Sequence, residues 1–418
     1  MVASSVRPVS SAVADVPVAT PDGHGDPSKR QRILHVFRAP VGGLFRHVVD
    51  LVRLQAAAGH EVGIVCDSTT GGERAERALA ELTSSLALGV ARVAMRRNPH
   101  VGDLKALLAV RDRAEAVNAT VLHGHGAKGG VYARLAPVWL EDGAPIRAYT
   151  PHGGSYNYRP GTLMHRIYMG AERLLALRTD VFLFESEYVA SRHRAYAGGA
   201  RLARIVHNGL SEAEFAPVDR SPDPFDLVYI GELRAAKGVT VLLEAVAALR
   251  DTGRPVTLLL VGSGPDADAL ASHAARLGLS GAVTFEPPQA IRPVLARGRI
   301  MVVPSLAESL PYVVLEAAAA CQPLVATDVG GIPEIFGADA CDLVPPGDAK
   351  ALSAALARIL DEAPHSRQVR FEALSRAVRA RFSMRRMGAD VLSGYAAAFQ
   401  RRVANASHLA GRRALNLP

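Results

Sequence analysis

The chain of 418 residues is 49% hydrophobic but only 5% aromatic, and its formal net charge is +8. That length is too great for one ordinary core and predicts two domains built on Ala, Val and Leu; the scarcity of aromatics argues against a base-stacking surface, so no nucleic-acid partner is expected. Three cysteines, Cys66, Cys321 and Cys341, without C-x-x-C spacing exclude a disulfide framework and fit reduced thiols in the cytoplasm.

Residues 1–30 are rich in Ala, Ser, Val and Pro, but Asp15, Asp22 and Asp26 interrupt any apolar signal core, so they read as a disordered tail. No later run approaches the roughly 18 apolar residues of a membrane span. From Ile33 onward short Val/Ile/Leu runs alternate with helical stretches: RILHVF, GGLFRHVVDLVRLQAAAG and HEVGIVC make one β-α-β unit of a parallel sheet. Leu44, Phe45, Val48, Val49 and Val52 recur at helical spacing, and Gly59 stands where a glycine ends a helix. The alternation continues through TVLHGHG, PIRAYTPHGG and DVFLFES to RIVHNGL, then breaks at the polar, proline-containing linker 211–225. A second series runs through DLVYIGELRAAKG, VTLLLVGSG, AVTFEPP, RIMVVPS and PLVATDVGG.

The expected fold class is α/β, two Rossmann-like domains facing each other across a cleft. The first spans 31–213, the second 214–383, a helix at 384–404 returns to the first, and a loose basic tail fills 405–418. Ligands of such sheets bind beyond the carboxyl ends of the strands, so the loops after the strands are the candidate site. The positive charge is local, because residues 365–418 hold eleven Arg against only Glu372 and Asp390. That segment predicts either docking on an anionic membrane surface or a solvated Arg face.

Gly42 and Gly43 lie between a strand and a helix, where missing side chains let a ligand approach the backbone. His152 follows a strand and precedes two glycines, so its ring is expected in the cleft. His123 and His125 lack a third ligand cluster in the sequence, so no metal is expected; their loop, with Lys128, is placed on the acceptor side. Asn208 and Gly209 read as a turn at the domain junction. Arg234 and Lys237 follow a strand three residues apart and can converge on one anion, a diphosphate being the obvious one. VGSGP lacks the third glycine of a dinucleotide fingerprint, Ala267 standing in its place.

The segment from Pro304 to Glu334 carries Glu308 and Glu316 eight positions apart. On one helix they would differ by about 80° in azimuth and about 12 Å in height, too far to flank one bond, so they do separate jobs. With Ser309 as N-cap and Pro311 in the first turn, Glu308 sits in the loop and Glu316 within the helix. The free N–H groups near Leu310, Tyr312 and Val313 then favour phosphate.

This E-x7-E pattern, followed by LEAAAA and PLVATDVGGIPE and preceded in order by VGGLFRHV, HGHGAKGG, TPHGG, VHNGL, GELRAAKG and VGSGP, resembles family 4 of the retaining glycosyltransferases, over roughly residues 33–400. The resemblance implies a GT-B fold and metal-independent, retaining transfer of a hexose-type sugar. The donor it implies is a nucleotide sugar, a UDP-sugar first and a GDP-sugar second, with no other cofactor. It implies that Glu316 binds the donor ribose, Glu308 and His152 contact the donor sugar, and Arg234 and Lys237 hold the diphosphate. The implied acceptor is a glycan or polyprenyl-linked glycan of bacterial exopolysaccharide, capsule or lipopolysaccharide synthesis, handled in the cytoplasm or peripherally at the inner membrane face. A nucleotide-sugar epimerase, a phosphorylase on the same fold, or an inert glycosyltransferase-like subunit are the alternatives. Two departures stand out: Cys321 and Gln322 occupy the place of the family's glycine after the alanine run, and VTFEPP lacks the glycine common in the loop that approaches the base.

Overall fold

The structure, a computed structural model, describes residues 30–136 and 144–415. The tail expected at 1–30 lies outside the described residues apart from Arg30. The first sheet contains β1 (Arg32–Phe37), β2 (Glu61–Asp67), β3 (Val90–Val93), β4 (Val121–His125), β5 (Ile146–Thr150), β6 (Val181–Phe184) and β7 (Ala203–Ile205), in the order β3-β2-β1-β4-β5-β6-β7. The second contains β8 (Phe225–Ile230), β9 (Leu258–Val261), β10 (Val283–Glu286), β11 (Gly298–Val303) and β12 (Leu324–Ala326), in the order β10-β9-β8-β11-β12. The pairings within both sheets are parallel. The fold is thus the expected pair of Rossmann-like sheets.

Strand order reverses beside β1 in one sheet and beside β8 in the other, and such switch points open a crevice at the strand ends. The loop after β1 carries Gly42 and Gly43; the loop after β8 carries Arg234 and Lys237. Of the five residues at helical spacing, the helix Gly42–Ala57 buries Phe45, Val48 and Val52 and leaves Leu44 and Val49 partly buried; Leu51 is buried as well, and Gly59 beyond the helix end has φ +87°. It also buries three polar residues, His47, Asp50 and Gln55, for which a packing stripe gives no reason.

The stretch expected as a plain linker starts with structure. Ser211 and Glu214 form a capping box over the turn Glu212–Phe215, and Phe215 is buried in the second domain's core. Leu210 bridges Ser383, so the chain crosses between the domains twice side by side. The helix Met384–Leu415 then buries Met387, Val391, Tyr395 and Ala398 against Ile33, Leu51, Val121 and Val181 of the first domain. It continues as helix to Leu415, where a loose tail was expected from 405. Among the described residues no helix is long and apolar enough to cross a membrane.

Candidate active site

The loops after β1, β5, β8 and β11 line one cavity of about 830 Å³. On its first-domain side Gly42 has φ +67° and no atom within 4 Å of where a Cβ would stand. The missing side chain leaves the backbone open to a ligand rather than relieving a clash. A Cβ on Gly43 would meet the Tyr312 ring of the opposite domain at 3.4 Å.

Across the cavity the helix Tyr312–Ala319 begins one residue after Pro311, which is its N-cap; Ser309 is not, contrary to expectation. Pro311 takes the extended conformation (ψ 125°), and the Ser309 carbonyl instead accepts from Gly331 N at 2.6 Å. No side chain caps this helix, so its first N–H groups, with Leu310, Tyr312 and Val313 around them, are presented to the cavity. At the other end Cys321 N bonds Ala318 O and Gln322 N bonds Ala317 O, a Schellman motif whose left-handed position is Cys321 at φ +54°. Gln322 turns inward and donates to Gly298 O at 2.8 Å.

The two glutamates occupy different settings, as their spacing predicts. Glu308 accepts from Lys237 Nζ at 2.6 Å and from Ser305 Oγ at 2.7 Å. Glu316 accepts from Arg46 of the first domain, whose guanidinium also bonds Glu214 and stacks on Tyr312 at 4.2 Å. Burial raises the Glu316 carboxyl above its ordinary range, and the Arg46 charge opposes that shift. Arg234 does not converge with Lys237 here: its Nε lies 2.7 Å from Glu232, and of the two only Lys237 lines the cavity. Gln289, Ala290 and Ile291, beyond the departing VTFEPP segment, close another part of the wall.

His152 reaches the cavity from a left-handed backbone (φ +53°), a conformation that costs a non-glycine residue about 1–2 kcal/mol and so must be held by its surroundings. Glu185, fully buried, accepts from Gly153 N. Burial lifts its carboxyl to about 7. The His152 ring ends a chain of polar side chains: His152 Nε2 to His125 Nδ1 at 3.1 Å, His125 Nε2 to His35 Nδ1 at 2.9 Å, and His35 Nε2 to Gln55 Oε1 at 2.8 Å. With the Gln55 carbonyl accepting, each ring in turn donates from Nε2, which leaves His152 Nδ1 as an acceptor. Tyr395 bonds His123 Nδ1 at 2.7 Å, and His123 Nε2 meets Thr150 at 2.9 Å. Burial lowers His35 and His47 to about 4 and the other three imidazoles well below their ordinary value.

The expectation that His123 and His125 lack a third partner is therefore overturned in space. His35 joins them, and His47 joins His125 and His152, each trio with nitrogens within 4.8 Å. In the described geometry His35 and His125 use both ring nitrogens in hydrogen bonds to their neighbours, so the cluster reads as a neutral polar network. Asn208 also does more than turn the chain: Oδ1 pairs with His47 Nδ1 at 3.0 Å, and Nδ2 donates across the cleft to Leu310 O at 2.7 Å.

Sequence reasoning missed Arg46, His47, Glu185 and Glu334. Glu334 accepts from the N–H groups of Glu187 (2.9 Å) and Tyr188 (2.8 Å), capping a first-domain helix from the second domain. The signal available for His47 was a polar residue on a buried helical stripe; Arg46 and Glu334 gave none, since their partners are distant in sequence. A second cavity of about 360 Å³ lies on the first domain between His125, Lys128, His152, Tyr158 and Tyr168. It sits on the side assigned to Lys128, whose amine pairs with Asp103 at 2.5 Å.

Residues 41–214 match the family described as Glycosyltransferase Family 4, and residues 224–362 match the one described as Glycosyl transferases group 1. The putative glycosyltransferase EpsD of Bacillus subtilis is 31% identical over 265 residues, 59% of this chain and 67% of that protein. The glycogen synthase of Mycobacterium tuberculosis is 26% identical over 349 residues, 77% of this chain and 83% of that protein. Among solved structures, Anabaena Alr3699/HepE in complex with UDP-glucose superposes with a TM-score of 0.71 over 87% of this chain and 100% of that one, at 18% identity.

Proposed function

The chain belongs to glycosyltransferase family 4, with the two-sheet GT-B architecture, and from that membership we propose that it moves a hexose from a nucleotide sugar to a glycan or lipid-linked glycan acceptor, with retention and without a metal ion. The observation that carries this reading is the meeting of Lys237, the uncapped helix N-terminus at Tyr312 and the two differently held glutamates in one cavity. A cation and a row of N–H groups are what a departing nucleoside diphosphate needs when no metal neutralises it.

Glu316 binds the ribose hydroxyls, its charge maintained by Arg46. Glu308, oriented by Lys237 and Ser305, and the acceptor nitrogen of His152 fix the sugar. Each carboxylate is engaged by a cation, which fixes its orientation towards the donor. The donor's own phosphate oxygen then takes the acceptor hydroxyl proton on the face the leaving group vacates, which retains configuration. Arg234 swings from Glu232 to the diphosphate when donor is bound. UDP is the favoured nucleotide because the HepE neighbour is held with UDP-glucose, and a polysaccharide acceptor because the glycogen synthase relative works on one.

Incubating the protein with UDP- and GDP-sugars and glycan acceptors in chelator, and reading the product anomer by NMR, tests the proposal. Retained product without metal supports it; an inverted product, or transfer only with divalent metal, overturns it.

A further inference from the structure

The helix Leu163–Ala176 is apolar on both faces. It buries Met169 and Leu175 together with His165 and Glu172, while Leu163 (70% exposed), Ile167 (53%) and Leu174 (69%), with Leu177 (63%) just beyond its end, face outward. At 100° per residue these four fall within an arc of about 80°, a continuous apolar stripe where a surface helix ordinarily shows its polar face. Arg166 and Arg173 flank the stripe on one side, and Arg159 and Arg178 stand at its two ends, all exposed. None of these four arginines has an ion pair or side-chain hydrogen bond among the described residues, and the helix's one acid, Glu172, is buried against Arg134 at 2.8 Å.

We propose that this face is a docking surface for an anionic lipid bilayer, with the helix lying in the headgroup plane. An apolar stripe edged by unpaired cations matches that partner in both hydrophobicity and charge. The Arg-rich C-terminal segment is a poorer candidate. Arg370 pairs with Glu362 and Asp342, Arg379 with Glu212 and Arg402 with Asp180, and Arg367 and Arg381 donate to backbone carbonyls of the chain itself. Tyr168 of the stripe-bearing helix stacks on Tyr158 at 4.7 Å, and both line the smaller cavity beside His152. A lipid-linked acceptor carried by the membrane would therefore enter beside the transfer site. Only this last step rests on the glycosyltransferase reading; docking does not.

Flotation of the full chain with phosphatidylcholine vesicles, with and without phosphatidylglycerol, tests docking directly. Binding is expected only with the anionic lipid and falls with salt. The combined Leu163→Ser, Ile167→Ser and Leu174→Ser variant binds roughly a hundredfold more weakly. Arg376→Glu with Arg385→Glu in the C-terminal segment leaves binding unchanged. A nucleotide-induced thermal shift retained by the serine variant shows that it is folded, and retained transfer to a soluble acceptor separates docking from catalysis. Absence of wild-type binding, undiminished binding by the serine variant, or a wild-type dimer that this variant turns into a monomer overturns the proposal.

Discussion

Arg46 of the first domain is hydrogen-bonded to Glu316 of the second and lies over the Tyr312 ring at 4.2 Å, so one guanidinium spans the cleft at the carboxylate proposed to bind the ribose. Arg46→Met removes the charge that opposes burial at Glu316, and the carboxyl rises further. Nucleotide affinity is expected to fall about tenfold, and to be weaker still at the lower of two pH values, since the raised Glu316 carboxyl protonates as pH falls. Titration calorimetry at both pH values reads this; unchanged affinity would return Arg46 to a purely structural role.

Lys237 and Glu316 should separate in steady-state kinetics. In the proposed mechanism Lys237 faces charge that develops as the diphosphate leaves, so Lys237→Ala is expected to lower kcat by about 10²–10³-fold. Glu316→Ala would remove the proposed ribose contact, made equally in ground and transition states, and is expected mainly to raise the donor KM. Equal, negligible effects on both constants would sink the assignment.

Stability should fall on mild acidification. An unfolded chain takes up protons on histidine near pH 6.5, whereas burial holds His35 and His47 neutral down to about 4. The unfolded state therefore binds more protons in the window between those values, and stability is lost as pH falls through it, on the order of 3 kcal/mol per fully shifted histidine as an upper bound. Glu185, lifted to about 7, has the opposite sign: the folded state holds the extra proton, so its contribution declines as pH rises from the ordinary carboxylate range to 7. Glu316 and Asp50, the latter lifted to about 6, act in the same sense as Glu185, but five buried imidazoles against three raised carboxyls make the net slope positive from pH 4 to 6.5, which thermal melts across that range would show.

Cys321→Gly should stabilise the second domain by about 0.5–1 kcal/mol, because glycine adopts the left-handed Schellman position without the cost a Cβ imposes, less the entropy it adds to the unfolded chain. Thermal denaturation checks the sign. Destabilisation would mean that the Cys321 side chain packs more favourably than its backbone is strained.

The residues that could be placed from sequence were those whose role is local. Gly42, Lys237 and Glu308 follow strands at sheet switch points, and strand alternation locates those points without any knowledge of packing. The beginning of the Tyr312 helix was misplaced by two residues, because a serine and a proline both suit helix starts and only Pro311's extended ψ decides between them. The histidine network was out of reach for another reason. His35, His125 and His152 sit on β1, β4 and the loop after β5, and only the parallel register of β1 with β4 pairs His35 with His123 and sets it two positions from Phe37, the partner of His125. Arg234 shows a third limit, since spacing permits convergence with Lys237 but leaves open the competing carboxylate of Glu232, two residues away.

The return of the last helix also sets an order of assembly during synthesis. Tyr395 and Val391 complete a core that begins with Ile33 and Leu51. When residue 213 has been made, the first domain still lacks that wall, and at about 5–20 residues per second the missing helix follows roughly 10–40 s later. Through that interval the nascent sheet carries an uncovered apolar face, while the second domain, whose chain is contiguous, can close first. The half of the protein that is translated earlier is the half that finishes folding later.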